Sequence, residues 1–285
     1  MASDGLFRTG PRAASGSHPV VALAGNPNTG KSTVFNALTG LAQHTGNWPG
    51  KTVRTAWGTA RHRGRLYTLV DLPGTYSLLA GSAEEEVASD FLCHGRPDAT
   101  VVVADATALE RNLNLVLQVL EVTGKVVVLL NLIDEARRKG YDIDVGVLAE
   151  GLGVPVVPAV ARDGQGLPEL MDTVAALCDG SLVTHPRPVV YPPDVEESLR
   201  RLEARLAGRL PRGAPLRWLA VRALCGDARV LRLLAGPAPP PGSPAPAGPA
   251  PPPGSPLPSP GFSPVVRPRP AVSRTSPETK RSAGP

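Results

Sequence analysis

The octapeptide GNPNTGKS has the spacing GxxxxGK[ST], and that spacing suits a polyphosphate. Its glycines let the backbone curl until successive N–H groups point inward at phosphate oxygens. A helix starting just after the loop adds the positive end of its dipole. Gly25, Asn26, Pro27, Asn28 and Thr29 form the expected loop, and Gly30, Lys31, Ser32 and Thr33 lead into the helix. Lys31 would neutralise the β- and γ-phosphates, and Ser32 would offer its hydroxyl to Mg2+.

A phosphate loop does not choose a base. The NLID stretch (Asn131, Leu132, Ile133, Asp134) closes a run of apolar residues. A carboxylate there accepts from both the N1–H and the 2-amino group of guanine, a donor pair that adenine lacks. A charge-assisted pair of this kind is worth roughly 1.5–3 kcal/mol. The DLPG stretch (Asp71, Leu72, Pro73, Gly74) supplies a carboxylate for the Mg2+ hydration shell. It also supplies the Gly74 N–H, which can reach a γ-phosphate only while that phosphate is present. Thr52 stands between these motifs where a second Mg2+-binding hydroxyl is expected, with Thr45 and Thr55 as rivals on spacing alone. Gly50 and Lys51, just ahead of Thr52, join the expected nucleotide contacts.

These residues need a scaffold that brings strand ends together. Short β-branched runs at 20–24, 65–70, 100–104, 125–130 and 154–157 alternate with helical patterns at 31–38, 109–122 and 167–177. Strands separated by helices imply right-handed crossovers and a mainly parallel sheet covered on both faces. The expectation is a doubly wound α/β domain of the P-loop NTPase class over 19–180. Residues 181–235 read differently. Leu199, Leu202, Leu206 and Leu210 recur at helical steps, and Trp218, Leu219 and Leu224 do so after a break at 211–215. This is a small all-α appendage, with no third clear amphipathic helix before the tail.

Of the 33 prolines, 18 fall in 236–285. That stretch and residues 1–18 have too few apolar residues to offset the entropy of ordering, and both are expected to be unstructured. They also hold the excess of positive charge. The tail has Arg267, Arg269, Arg274, Lys280 and Arg281 against Glu278, and the arm has Arg8 and Arg12 against Asp4. The formal net charge of +5 therefore leaves the folded part close to neutral, which argues against a nucleic-acid footprint. Cys93, Cys178 and Cys225 form no CxxC pair and are expected as free thiols in a reducing compartment. No apolar run reaches the roughly 18–20 residues a membrane helix needs.

With these motifs in place, the chain resembles the cytosolic GTPase domain of the FeoB ferrous-iron transport proteins. The resemblance rests on GNPN, on GNWPG (Gly46 to Gly50) followed by Thr52, on DLPGTYS (Asp71 to Ser77), on DATALERNL (Asp105 to Leu113) and on NLID, all in order. The segment LRWL (Leu216 to Leu219) resembles part of the family's helical domain, thought to act as an internal nucleotide-dissociation inhibitor. The resemblance covers about 19–235. It implies GTP hydrolysis with Mg2+ held by Ser32, Thr52 and Asp71. It further implies an activating K+ held by Asn28 with backbone oxygens of Gly46 and Trp48. Lys31, Asn28, Thr52 and Gly74 are the catalytic set it suggests. Thr75 stands where many GTPases place a water-orienting glutamine, so a cation that offsets developing charge suits this site.

Some residues depart from the pattern. Val160 and Ala161 occupy the last base-contacting loop, where a Ser-Ala pair is usual, leaving the Ala161 N–H for the guanine O6. Lys51 and Arg54 replace residues usually apolar and acidic in the first switch. FeoB proteins continue into a membrane permease for Fe2+, which these 285 residues do not contain. The resemblance implies a cytoplasmic protein, at the inner face of the membrane when a permease is its partner. A standalone regulatory switch and a ribosome- or tRNA-associated GTPase are the alternative readings.

Overall fold

The computed structural model describes residues 18–40, 43–48, 52–79, 81–210, 213–235 and 266–268. In chain order the first elements are β1 (Val20–Gly25), α1 (Lys31–Thr39), β2 (Gln43–Asn47), β3 (Arg54–His62), β4 (Arg65–Asp71), α2 (Ala83–Asp90) and β5 (Ala99–Asp105). Then come α3 (Leu109–Val122), β6 (Val126–Asn131), α4 (Ile133–Arg138), β7 (Tyr141–Ile143), α5 (Val145–Leu152), β8 (Val156–Pro158) and α6 (Leu167–Asp179). The last are α7 (Pro193–Ala207), α8 (Leu216–Leu224), α9 (Ala228–Ala235) and β9 (Val266–Pro268).

All six residues of β1 are buried, as a central parallel strand with both faces covered requires. Val20, Ala22 and Ala24 enter one core while Val21 and Leu23 enter the other, the two-residue alternation of a strand. Helices α1 and α6 close the second core, and α2, α3 and α5 close the first. The sheet order is β2-β3-β4-β1-β5-β6-β8. The β1, β4, β5, β6 and β8 pairings are parallel, so their C-terminal ends, and the loops after them, gather at one edge. That is where ligands bind in open α/β sheets.

The far edge differs from the sequence expectation. Residues 43–47 and 54–62 form two strands that the periodicity does not announce, with β3 antiparallel to β4 and β2 antiparallel to β3. The cause is a two-residue hairpin turn at Arg63 and Gly64, both with positive φ (47° and 79°), the geometry that matches strand twist.

Among the described residues the appendage has three helices, one more than the two that the sequence pattern marks clearly. Helix α9 escapes the sequence pattern because it is only eight residues long and buries a single i,i+4 pair, Val230 and Leu234. Trp218 is fully buried, and Leu199, Leu206, Trp218, Val230 and Leu234 belong to the same core as α3. Polar contacts reinforce the junction with α2: the Arg222 guanidinium donates to Ser89 Oγ at 3.2 Å, and Arg229 pairs with Glu86 at 2.6 Å. In the tail, β9 pairs antiparallel with β7, placing Arg267 opposite Asp142 in register. The rest of 236–285 lies outside the described residues. Among those described, no helix is long and apolar enough to cross a membrane.

One buried charge at the junction has a measurable cost. Arg217 forks onto Glu196 at 2.7 and 3.1 Å, and approaches Glu203 and Glu121 at 3.7 and 3.9 Å. The Glu121 side chain is 3% exposed and accepts from the Tyr191 hydroxyl at 3.2 Å. Burial pushes the Glu121 carboxyl up, with Tyr191 and Arg217 opposing it. A carboxyl raised by folding favours the folded state only when protonated, and that benefit is lost as pH rises through the raised value. Glu121→Gln keeps the acceptor and removes the charge, so it is expected to melt a few degrees above wild type at pH 8 (~2–4 °C per kcal/mol). The gap should close on acidification. A melting difference that is constant with pH would contradict this account.

Candidate functional site

The phosphate loop runs from the end of β1 into α1. Asn28 and Gly30 both take left-handed backbone angles, φ 67° and 84°. At Gly30 only glycine fits, because an added Cβ would stand 2.3 Å from Asn131 Nδ2. Thr29 Oγ1 donates to Asn26 O at 3.0 Å, closing the loop on itself. The loop borders a cavity of about 410 Å³ lined by Asn26, Pro27, Asn28, Ser32 and Thr33. A second cavity of about 670 Å³ adjoins it, with Lys31 and Gly74 lining both.

Lys31 is 8% exposed and pairs with Asp71 through Nζ and Oδ1. Burial pushes the Asp71 carboxyl up, and Lys31 pulls it part of the way back. Below this pair the DLPG segment is tied to β1: the Leu72 N–H donates to Leu23 O at 3.0 Å and the Thr75 N–H to Gly25 O at 3.2 Å. An added Cβ on Gly74 would meet Pro27 Cα at 3.3 Å, so this segment lies directly against the phosphate loop. Thr75 is buried and its hydroxyl donates to Ser77 O at 2.6 Å, so it is not turned toward the cavity as a glutamine substitute.

At the base end, Asn131 acts as a strut. It is 2% exposed, its Nδ2 donates to Thr29 O at 2.9 Å, and its Oδ1 accepts from the Ala161 N–H at 3.0 Å. The phosphate loop, the NLID turn and the 159–161 loop are thus one hydrogen-bonded unit. Leu132 sits at φ 60°, an uncommon angle for leucine, which turns the chain so that Ile133 is buried and Asp134 faces out. Asp134 Oδ2 is approached by Arg138 at 3.1 Å and Arg162 at 3.5 Å. Its Oδ1 is shielded from solvent with no hydrogen-bond partner among the described residues. A buried acceptor left open in this way costs free energy until a donor arrives.

The expected residues do not all converge. Asn28, Lys31, Ser32, Asp71 and Gly74 meet around the cavities, and Gly46 lines the larger one. Ala161 offers its N–H to Asn131, so guanine O6 would have to share it. Val160 is buried in the core with its N–H on Gln165 O, which leaves it shaping the loop. Thr52 is exposed and lines neither cavity, whereas its rivals Thr45 and Thr55 line the larger one. The reason is the β2–β3 pairing, which sets Gly46 against Thr55 and leaves Thr52 beyond the paired residues. Trp48 is 4% exposed, edge-on to Phe91 with ring centroids 5.5 Å apart. Gly50 and Lys51 lie outside the described residues. Sequence reasoning missed Arg138 and Arg162; the i,i+4 spacing of Asp134 and Arg138 was a signal for the first.

A strand, phosphate loop and helix, followed by DLPG at one neighbouring strand end and NLID at another, define a P-loop nucleotide-binding G domain. A family model described as Ferrous iron transport protein B matches residues 19–174, and one described as FeoB cytosolic helical domain matches 191–243. The chain belongs to the FeoB family. It is 40% identical over 218 residues to the Fe(2+) transport protein A/Fe(2+) transporter FeoB fusion protein of Porphyromonas gingivalis, covering 75% of this chain and 26% of that protein. It is 38% identical over 217 residues to the Fe(2+) transporter FeoB of Escherichia coli K12, covering 73% and 27%. The chain therefore spans about a quarter of the length of these curated relatives. Among solved structures it is similar to the cytosolic domain of the T. maritima FeoB iron transporter in its GMPPNP form. The identity is 38% and the TM-score 0.70, over 75% of this chain and 83% of that one. A GDP form of the same domain matches at 38% identity and TM-score 0.69, with the same coverage.

Proposed function

We propose that this chain binds GTP and GDP and hydrolyses GTP to GDP and phosphate, and that the cycle is coupled to ferrous iron uptake through a membrane permease. The observation that carries the choice of base is Asp134 Oδ1, a buried acceptor without a partner among the described residues, on the turn whose Asn131 is hydrogen-bonded to the phosphate loop. The iron link draws on the relatives, which are Fe(2+) transporters roughly four times as long. The permease is the proposed partner and the inner membrane face the proposed place. The near-neutral charge of the folded part does not favour nucleic acid as a partner.

In this reading the loop N–H groups of Asn26 and of Asn28 to Ser32 cradle the phosphates, Pro27 having none to give, and Lys31 exchanges Asp71 for the β- and γ-phosphates. Ser32, Asp71 and Thr52 would hold Mg2+, and Asn28 with backbone oxygens of Gly46 and Trp48 would hold K+. When bound, these ions supply positive charge against the charge developing on the transferred phosphoryl group. For Thr52 to take part, it has to move from the exposed position it holds here, outside both cavities. Gly74 presents its N–H to the γ-phosphate, and Thr75 provides no amide to orient water.

The potassium role has a direct test. Hydrolysis is expected to run at least about tenfold faster in K+ than in Na+, well short of the ~10³–10⁵ an arginine finger supplies. Asn28→Ala should remove most of that stimulation and leave GDP affinity near wild type. Because Asn28 is left-handed, alanine adds backbone strain of about 1–2 kcal/mol. Asn28→Gly, free of that strain, should lose the stimulation equally. Turnover that is the same in both salts, or stimulation that survives in Asn28→Gly, would defeat the assignment.

A further inference from the structure

The second half of the switch DLPGTYSL is gripped by α3. The Tyr76 ring lies under the Arg111 guanidinium, 4.1 Å from its centroid, although Tyr76 is 44% exposed. Gln118 Oε1 accepts twice from the same segment, from the Leu78 N–H at 2.7 Å and from Ser77 Oγ at 3.2 Å. Arg111 and Gln118 are seven residues apart, two turns of helix, and therefore share one face. The segment is internally braced as well. Thr75 Oγ1 donates to Ser77 O and the Leu79 N–H donates to Ser77 Oγ at 3.0 Å. Leu78 is fully buried. Upstream, the Thr75 N–H is fixed to Gly25 O. Gly74 is thus suspended between two attachments, the end of β1 on one side and α3 on the other.

We propose that Arg111 and Gln118 are positioning residues for GTP hydrolysis, clamping Tyr76, Ser77 and Leu78 to α3 so that the Gly74 N–H is held at the γ-phosphate. The inference rests on the function proposed above. Its physical basis is the absence of a water-orienting side chain at Thr75. Turnover then depends more heavily on the fixed placement of Gly74, and displacements of the order of 1 Å cost about 10²-fold in rate. Gln118 acts through a carbonyl oxygen that accepts from both partners, so a carboxylate at the same position can replace it while an aliphatic side chain cannot. Arg111 acts through its guanidinium face on an aromatic ring, a contact that lysine reproduces in part.

The experiment uses the full chain, with GTP turnover measured in Mg2+ and K+ and GDP affinity by titration. Gln118→Leu and Arg111→Ala are each expected to lower kcat by about tenfold, below the limit set by a full 1 Å displacement. KM and GDP affinity should stay within about twofold, because neither side chain lines the nucleotide cavities. Gln118→Glu and Arg111→Lys should recover most of the loss. Hydrogen exchange at Ser77, Leu78 and Leu79 should quicken in Gln118→Leu and return toward wild type in Gln118→Glu. Equal loss in Gln118→Leu and Gln118→Glu would mean a general packing defect and overturn the clamp. So would a loss confined to KM, or full activity in Gln118→Leu. A wild type that hydrolyses no GTP would instead overturn the proposed function, a result that an active wild type with unaffected variants cannot mimic.

Discussion

Lys31→Ala is expected to slow GTP hydrolysis by about 10²–10³, the loss that follows removal of one preorganised donor from a charged transition state. The structure gives the substitution two consequences. The ammonium that would meet the β- and γ-phosphates is gone, and Asp71, largely shielded from solvent, loses its only cation in the ion pairs of the described residues. An ionised Asp71 then faces the incoming phosphates unopposed. GTP affinity should therefore fall as well, by about ten- to a hundredfold if one charge-assisted contact of roughly 1.5–3 kcal/mol is lost. Lys31→Arg should not restore activity, because a planar fork cannot occupy the place of a compact ammonium under the loop. Melting of the apo variant provides the control, since Lys31 also packs in the loop. Hydrolysis within about threefold of wild type, in a protein that melts normally, would show that the phosphates do not lie at this loop.

How much of this was legible depended on whether a residue's partners are close in sequence or only in space. The GNPNTGKS, DLPG and NLID motifs fall where they were expected because each is a strand end whose chemistry is local. The helix 109–122 was legible to the residue, since Leu113, Val116 and Leu120 mark a buried stripe. The strand β3 was not. Its sequence RTAWGTARH mixes glycine with charged residues, and it becomes a strand by pairing with β4 through the tight turn at Arg63 and Gly64. That pairing also explains why Thr52 lies away from the cavity in this arrangement. Spacing nominated Thr52, but the hairpin register puts Thr55, whose Oγ1 is buried without a partner among the described residues, at the cavity in this arrangement. The appendage was legible as helical but not as part of the same core, because its contacts with α2 span more than 130 residues of sequence. Gln118 gave no sign at all. Within an amphipathic helix a glutamine beside the apolar stripe looks like an ordinary solvent-facing residue, and only the packed switch reveals its two donors.

Asp134→Asn is expected to reverse the choice of base. Wild type should prefer GTP over ATP strongly, since guanine brings two donors to the carboxylate while adenine brings an acceptor in the same position. With asparagine, one of the two acceptor atoms becomes an NH2. Arg138 and Arg162 crowd the Oδ2 side and can only donate, so the amide oxygen settles there and the NH2 takes the buried Oδ1 position. The guanine amino group then meets a donor, and GTP affinity should fall about 10- to 150-fold, equivalent to roughly 1.5–3 kcal/mol. Xanthosine triphosphate carries an acceptor oxygen at C2 and keeps its N1–H, so it matches the new amide and should gain affinity by a similar factor. Loss of the two arginine contacts themselves adds little, because both guanidinium groups are mostly exposed and such pairs contribute about 0–1 kcal/mol. Titrations of both proteins with GTP, ATP and xanthosine triphosphate decide the matter. Equal binding of GTP and ATP by wild type would remove Asp134 as the base reader. A uniform loss of all three nucleotides in Asp134→Asn would mean that the side chain only supports the loop.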